Sequence, residues 1–129
     1  MVNFESITAE LLRYPQIQLA MVFGSLASGT ATPSSDLDIA VQAQYPLSID
    51  EKMALIGDLA VVTGRSVDLV DLRCVGGPLL NQILRHGKRI CGSDSDYAEL
   101  ALRNIYANED FMPYVRRALE ERRRAWIGL

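Results

Sequence analysis

The sequence predicts an α/β domain: a small sheet flanked by helices, with a helical segment at the C-terminal end. Three observations carry that reading. Short apolar runs at 17–24, 37–41 and 66–72 have the length and composition of buried strands. Between them, apolar residues recur at helical spacing, set off from the runs by Gly, Pro and Ser. From Ser93 onward the pattern is helical alone.

In chain order, Phe4, Ile7, Leu11 and Leu12 mark one face of a first helix, which Pro15 ends. IQLAMVFG, residues 17–24, follows as the first strand, and a short helix starts after Gly24-Ser25. LDIAV, 37–41, is the second strand. The capping box Ser48-Ile-Asp-Glu51 opens a helix with Met53, Ile56, Leu59 and Ala60 on one face and Gly64 at its end. SVDLVDL, 66–72, is β-branched and apolar, a third strand. Pro78 sits where a first helical turn accepts it, and Leu79, Leu80, Ile83 and Leu84 carry that helix to Gly87. KRIC, 88–91, adds a short edge strand. Tyr97, Leu100, Ala101 and Ile105 then continue helically. Pro113 divides this tail, and Asp110 caps a last helix bearing Val115, Ala118, Leu119 and Trp126.

A chain of 129 residues is expected to be one domain, 1–129, with its core at about 1–92 and a helical C-terminal segment at about 93–129. An apolar fraction of 49% supports a real core and excludes disorder. The net charge of −3 argues against direct nucleic-acid binding. No apolar run approaches the roughly 18 residues of a membrane span. Glu5 and Glu10 interrupt the N-terminus where a secretory signal would be basic and then apolar. Cys74 and Cys91, seventeen positions apart, have no second close pair for a metal and read as reduced, buried or half-buried thiols. The expected location is the cytoplasm. Charge is uneven: five of the eleven arginines fall in the last fourteen residues, beside the apolar stripe Val115, Leu119 and Trp126, which suits a protein partner.

The compositionally biased stretch is GSLASGTATPSSDLD, residues 24–38. A glycine directly after a buried strand lets backbone approach an anion closely. Free N–H groups at the helix start, with the Ser25 hydroxyl, could then hold phosphate oxygens. No lysine follows at the place a P-loop requires. In the next strand, alternate residues share a face, so Asp36 and Asp38 point one way while Leu37, Ile39 and Val41 point the other. Paired like charges on a sheet are costly, and a divalent cation removes the cost; Mg²⁺ commonly combines one or two carboxylates with substrate phosphates. An isolated Asp-x-Asp is more often a turn cap and a solvated edge residue. Gly24-Ser25 at a fixed offset favours a site. SVDLVDL offers a third acid. Asp68 and Asp71 are an odd number apart and face opposite ways; Asp68, mid-strand among Val67, Leu69 and Val70 and expected to be poorly hydrated, is the candidate. Asp71, at the strand exit, is expected to cap or lie at the surface.

Gly-Ser, ten residues, then Asp-Leu-Asp resembles the signature of the polymerase-β nucleotidyltransferase superfamily, and more closely its minimal nucleotidyltransferase (MNT) branch. VDLVDL, GGPLLNQILRHGKRIC and DYAELALRNIYANED are also similar to the MNT pattern, so the likeness spans roughly residues 17–112. It implies a polymerase-β palm-like fold with a small mixed sheet. It further implies that Gly24 and Ser25 grip a nucleotide triphosphate, that Asp36 and Asp38 ligate two Mg²⁺ ions, and that Asp68 completes the second metal site and helps deprotonate the nucleophile. One departure stands out. Many members carry an arginine in the loop after Gly-Ser, whereas Leu26–Thr30 has none, so charge compensation must come from elsewhere, with Arg65 a candidate.

Proteins of this size resemble the antitoxins of HEPN/MNT toxin–antitoxin pairs. The resemblance implies a protein adenylyltransferase that moves AMP from ATP to a hydroxyl, tyrosine foremost, of a HEPN ribonuclease toxin, with pyrophosphate released. Two other readings compete: an inactive antitoxin that neutralises its partner by binding alone, and a small-molecule nucleotidyltransferase. His86, near a helix end, and Tyr45, Tyr97, Tyr106 and Tyr114, as core or interface residues, are explained without catalysis.

Overall fold

The run that forms β1 (Ile17–Phe23) is apolar but for Gln18, because helices cover the sheet on both faces. In the computed structural model, which describes residues 4–107 and Arg122, the order is α1 (Phe4–Leu11), β1, α2 (Ser25–Ser28), β2 (Leu37–Ala43), α3 (Ile49–Thr63), β3 (Val67–Asp71), α4 (Gly77–His86), β4 (Lys88–Cys91) and α5 (Asp94–Ala107). The strands lie in the order β3-β2-β1-β4. β1 runs antiparallel to β2 and β4, whereas β2 runs parallel to β3, the two being joined through α3. The sheet is therefore mixed, with a parallel pair that requires a crossover helix.

Alternation along the strands sorts the core into two layers. Ile7 and Leu11 of α1 and Leu55 and Leu59 of α3 pack with Ala20, Val22, Ile39 and Val41. On the other face Leu80 and Ile83 of α4 and Leu100 of α5 meet Leu19, Met21 and Ala40. A register shift between Ile17 and Leu19 explains why Ile17 and Ala20, an odd number apart, reach the same layer. The capping box forms as expected: Glu51 N–H donates to Ser48 Oγ at 3.1 Å and Ser48 N–H to Glu51 Oε1 at 3.2 Å.

Two expectations change. The buried face of α3 is Leu55 and Leu59, while Met53 is 66% exposed. Ile49 and Val61 are exposed as well, so apolar residues run most of the way around this helix and periodicity does not single out a face. Cys74 is exposed, because β3 ends at Asp71 and the chain turns outward before α4; Cys91 is half-buried, and both thiols are free. Tyr45 is exposed and donates its hydroxyl to Glu51 Oε2 at 2.9 Å. His86 stands in the last turn of α4 beside Arg85. Among the described residues no helix is long and apolar enough to cross a membrane. The tail helix after Pro113, its cap Asp110, Tyr114, the stripe Val115, Leu119 and Trp126, and the tail arginines other than Arg122 lie outside the described residues.

Leu59 is fully buried between the sheet and α3, whereas Val61, two residues on, is 85% exposed. Leu59→Ala is expected to lose about 2–5 kcal/mol of stability, and Val61→Ala less than about 0.5 kcal/mol. Urea unfolding of both variants checks the assignment of the inner face.

Candidate active site

Parallel pairing of β2 with β3 puts Leu37 opposite Val67 and Asp38 opposite Asp68. The antiparallel neighbour puts Phe23 opposite Asp38 from the other side. Because cross-strand partners share a face, Phe23, Asp38 and Asp68 stand together on the side that α4 and α5 cover further along, at the end of the sheet where β1 finishes and β2 and β3 begin. Asp36 lies one residue before β2, two before Asp38, and its charge acts on Asp38.

The consequence is electrostatic. Partial burial first, then the charges of Asp68 and Asp36 and a hydrogen bond to Asp68, push the Asp38 carboxyl above its ordinary value of 3.8. The paired register keeps the Asp68 charge directly beside Asp38, so the charged form of Asp38 is the one disfavoured. Asp68 itself is exposed, not poorly hydrated as its apolar flanks suggest, because β3 is an edge strand. Asp71 shows the opposite departure. It is only 5% exposed, and its carboxylate accepts from Leu47 N–H and Arg73 N–H, both at 2.9 Å. It caps, but from the interior, and ties the segment after β2 to the end of β3.

Gly24 approaches this cluster directly. Its φ of +70° is one that only glycine adopts readily. A Cβ there would lie 3.0 Å from Asp38 Cγ and closer still to Oδ2. The glycine therefore leaves room for the Asp38 carboxylate, a constraint that the sequence, which suggests close approach to an anion, does not reveal. Ser25 opens α2, and its carbonyl accepts from Thr30 N–H at 3.1 Å, closing the turn around Gly29. The first N–H groups of such a turn have no partner within the helix and point outward.

Arg65 takes a different part from the one its charge suggests. Its Nη1 donates to the carbonyls of Thr32, at 2.8 Å, and Ser35, at 2.7 Å. The guanidinium is committed to the backbone leading into Asp36. Sequence reasoning missed Arg65 as an anchor and Phe23 as a neighbour of the acids; the first signal is visible only in the fold, and the second follows from β1 alternation once the register is known.

Among the described residues, no three or more His, Cys, Asp or Glu side chains converge as a metal-holding group. The donor chemistry nevertheless fits a hard divalent cation. The donors are carboxylate oxygens, Asp38 bears an unrelieved charge penalty, and Gly24 leaves the carboxylate accessible. Asp36, Asp38 and Asp68 are the residues that could hold it.

Comparison with known proteins agrees with this geometry. Residues 5–96 match the family described as Polymerase beta, Nucleotidyltransferase. The chain is 37% identical over 103 residues to the protein adenylyltransferase MntA of Shewanella oneidensis, covering 78% of this chain and 74% of that protein. A toxin–antitoxin crystal structure with AMP-PNP superposes with a TM-score of 0.75 at 32% identity, covering 98% of this chain and 97% of the other. A tri-AMPylated Shewanella oneidensis HEPN toxin in complex with its MNT antitoxin gives a TM-score of 0.66 at 30% identity, covering 96% and 92%.

A carboxyl that holds its proton more tightly in the native state than in the unfolded chain favours folding in acid and disfavours it as pH rises through the raised value. Asp38→Asn is therefore expected to raise the unfolding temperature of the cation-free chain at pH 7, with the advantage gone below the ordinary value of 3.8. Calorimetric melts across that range check it. Gly24→Ala is expected to cost about 1–3 kcal/mol in urea unfolding, because φ and the Asp38 contact are both violated.

Proposed function

This chain belongs to the polymerase beta nucleotidyltransferase family, and from that premise we propose that it is a protein adenylyltransferase that silences a HEPN ribonuclease toxin, its partner. AMP passes from ATP to a hydroxyl of the toxin, tyrosine foremost, and the chain acts as antitoxin. The observation that carries this reading is the placement of Asp38 and Asp68 on paired strands, with Asp36 beside them, against the Gly24-Ser25 turn. The relatives support it, since one is a protein adenylyltransferase and another is an MNT antitoxin complexed with an AMPylated HEPN toxin.

The roles follow from the chemistry each position offers. The backbone at Gly24 and the N–H and hydroxyl of Ser25 bind the triphosphate. Asp36 and Asp38 would hold two Mg²⁺ ions, with Asp68 completing the second site. Bound there, the cations would neutralise charge at the α-phosphate and on the attacking and leaving oxygens. Asp68, exposed on the edge strand whereas Asp38 is half-buried, takes the proton from the incoming hydroxyl. The hydroxyl oxygen bonds to the α-phosphorus as the bond to pyrophosphate breaks, and pyrophosphate leaves. Most of the acceleration then comes from positioning and charge neutralisation. An ATP-dependent reaction on a ribonuclease belongs in the cytoplasm, in keeping with free thiols at Cys74 and Cys91.

Incubating the chain with its partner toxin, ATP and Mg²⁺ is expected to add whole AMP units to the toxin by intact mass spectrometry. Asp36→Asn and Asp38→Asn are each expected to lower the rate by more than about 100-fold, beyond the range typical of residues that only support a metal ligand. Complex formation with no gain in mass would instead mark a binding-only antitoxin. Transfer to a hydroxylated metabolite without the toxin would mark a small-molecule enzyme.

A further inference from the structure

We propose that Arg65 is a positioning residue for the cation site: it fixes the loop that delivers Asp36. The inference rests on the adenylyltransferase reading for its activity readout, but its geometry stands apart from it. Arg65 lies between the end of α3, where Gly64 adopts φ +65° and donates its N–H to Ala60 O, and the start of β3. From there one guanidinium nitrogen, Nη1, bridges two carbonyls, Thr32 O at 2.8 Å and Ser35 O at 2.7 Å. Those carbonyls belong to one turn, closed by Ser35 N–H to Thr32 O at 3.0 Å and by Thr32 N–H to Ser35 Oγ at 2.8 Å.

The next residues complete the clamp. Ser66 O accepts from Leu37 N–H at 2.8 Å, so Arg65 and Ser66 hold the chain on both sides of Asp36. Among the described residues, no hydrogen bond to the Asp36 side chain appears, and that side chain is exposed. Its position is therefore inherited from its backbone. Asp38 differs: β2 pairs on both sides of it, with Phe23 and with Asp68. Of the two acids in the Asp-x-Asp pair, Asp36 alone depends on the loop, and Arg65 is the side chain that anchors that loop. Charge-assisted bonds to carbonyls are stronger than neutral ones, which suits a long-range tie across about 30 residues of chain.

Loss of the clamp would leave the ligands intact and their mutual geometry loose. The expected signature is a weaker response to Mg²⁺ with substrate recognition preserved. For Arg65→Ala, the Mg²⁺ concentration giving half-maximal AMP transfer should rise about 10–100-fold, the range for residues that orient metal ligands. The turnover rate at fixed low Mg²⁺ should fall by a similar factor, with toxin binding unchanged. Arg65→Lys, which keeps charge and donors, should recover part of the loss. Arg65→Met, of similar length without donors, should not.

A second readout does not need turnover. Addition of Mg²⁺ should raise the unfolding temperature of the wild-type chain, and in Arg65→Met this rise should require a higher concentration of the ion. An Arg65→Met chain that is folded and shows the wild-type Mg²⁺ dependence in both assays overturns the inference. If Arg65→Ala fails to fold, Arg65→Lys and Arg65→Met decide by the same comparison. Wild-type chain that transfers no AMP but shows an Arg65-dependent Mg²⁺ shift overturns the adenylyltransferase reading and leaves the clamp standing.

Discussion

Parallel registration of β2 against β3 sets one carboxylate beside another, Asp38 next to Asp68, and that repulsion governs how the rest of the domain is built. Left alone, two such charges would push the strands apart or slip the register, and a slip of one residue would turn every side chain of the strand to the other face. What prevents the slip is apolar. Leu37, Ile39 and Val41 are fully buried on the opposite face, locked beneath α1 and α3. The same strand thus carries its penalty and its anchor on neighbouring residues that face opposite ways. Polar site and core are inseparable here because period-two alternation writes both into LDIAV.

The position of the acids in the sheet follows from connectivity. A parallel neighbour requires a crossover, and α3 supplies it between the end of β2 and the start of β3. Crossover returns the chain to the same end of the sheet, so both strands begin beside each other. β1, arriving antiparallel, finishes there and turns through Gly24. Three segment ends converge at one place with no helix of the α4–α5 layer needed to cover them. The open end holds the charged groups, and the covered length of the sheet holds the core.

Much of this was legible in the sequence, and the failures have physical reasons. All strands and the described helices appear where apolar runs and helical spacing put them, since caps and glycines at Ser48, Gly64 and Gly87 punctuate them sharply. Spacing alone suggests a shared face for Asp36 and Asp38, but β2 begins at Leu37, so of the two only Asp38 is held by the ladder. Burial was less readable. Asp68 looks dry in the sequence because its neighbours are apolar, yet its strand is an edge; Asp71 looks wet because it ends the strand, yet the segment around Leu47 folds over it. Flanking residues report on local composition, whereas exposure depends on which strand lies outermost. The inner face of α3 was ambiguous for a similar reason, its apolar residues outnumbering the positions that the sheet can cover. Arg65 stood out only as a possible counter-charge, not as an anchor, because a side chain bonding to backbone carbonyls some thirty residues earlier leaves no periodic trace.

Arg65 also bears on the loop that follows Gly24-Ser25. Leu26–Thr30 contains no cation, and Arg65 gives one guanidinium nitrogen, Nη1, to the carbonyls of Thr32 and Ser35. A guanidinium held in that way still contributes positive charge to its surroundings, but it cannot also grasp a phosphate with the same nitrogen. Among the described residues, none of Asp36, Asp38 and Asp68 forms an ion pair with a basic side chain. The cations that accompany a triphosphate are a form in which positive charge would reach them. On that view the acids are held in a state of unrelieved repulsion until substrate and metal come together, and binding of either is coupled to the other through the same electrostatic deficit. A protein whose only task was to cover a partner would gain nothing from such a deficit, because the repulsion costs stability and contributes no contact. Its presence at the meeting point of three chain segments favours chemistry over simple occlusion.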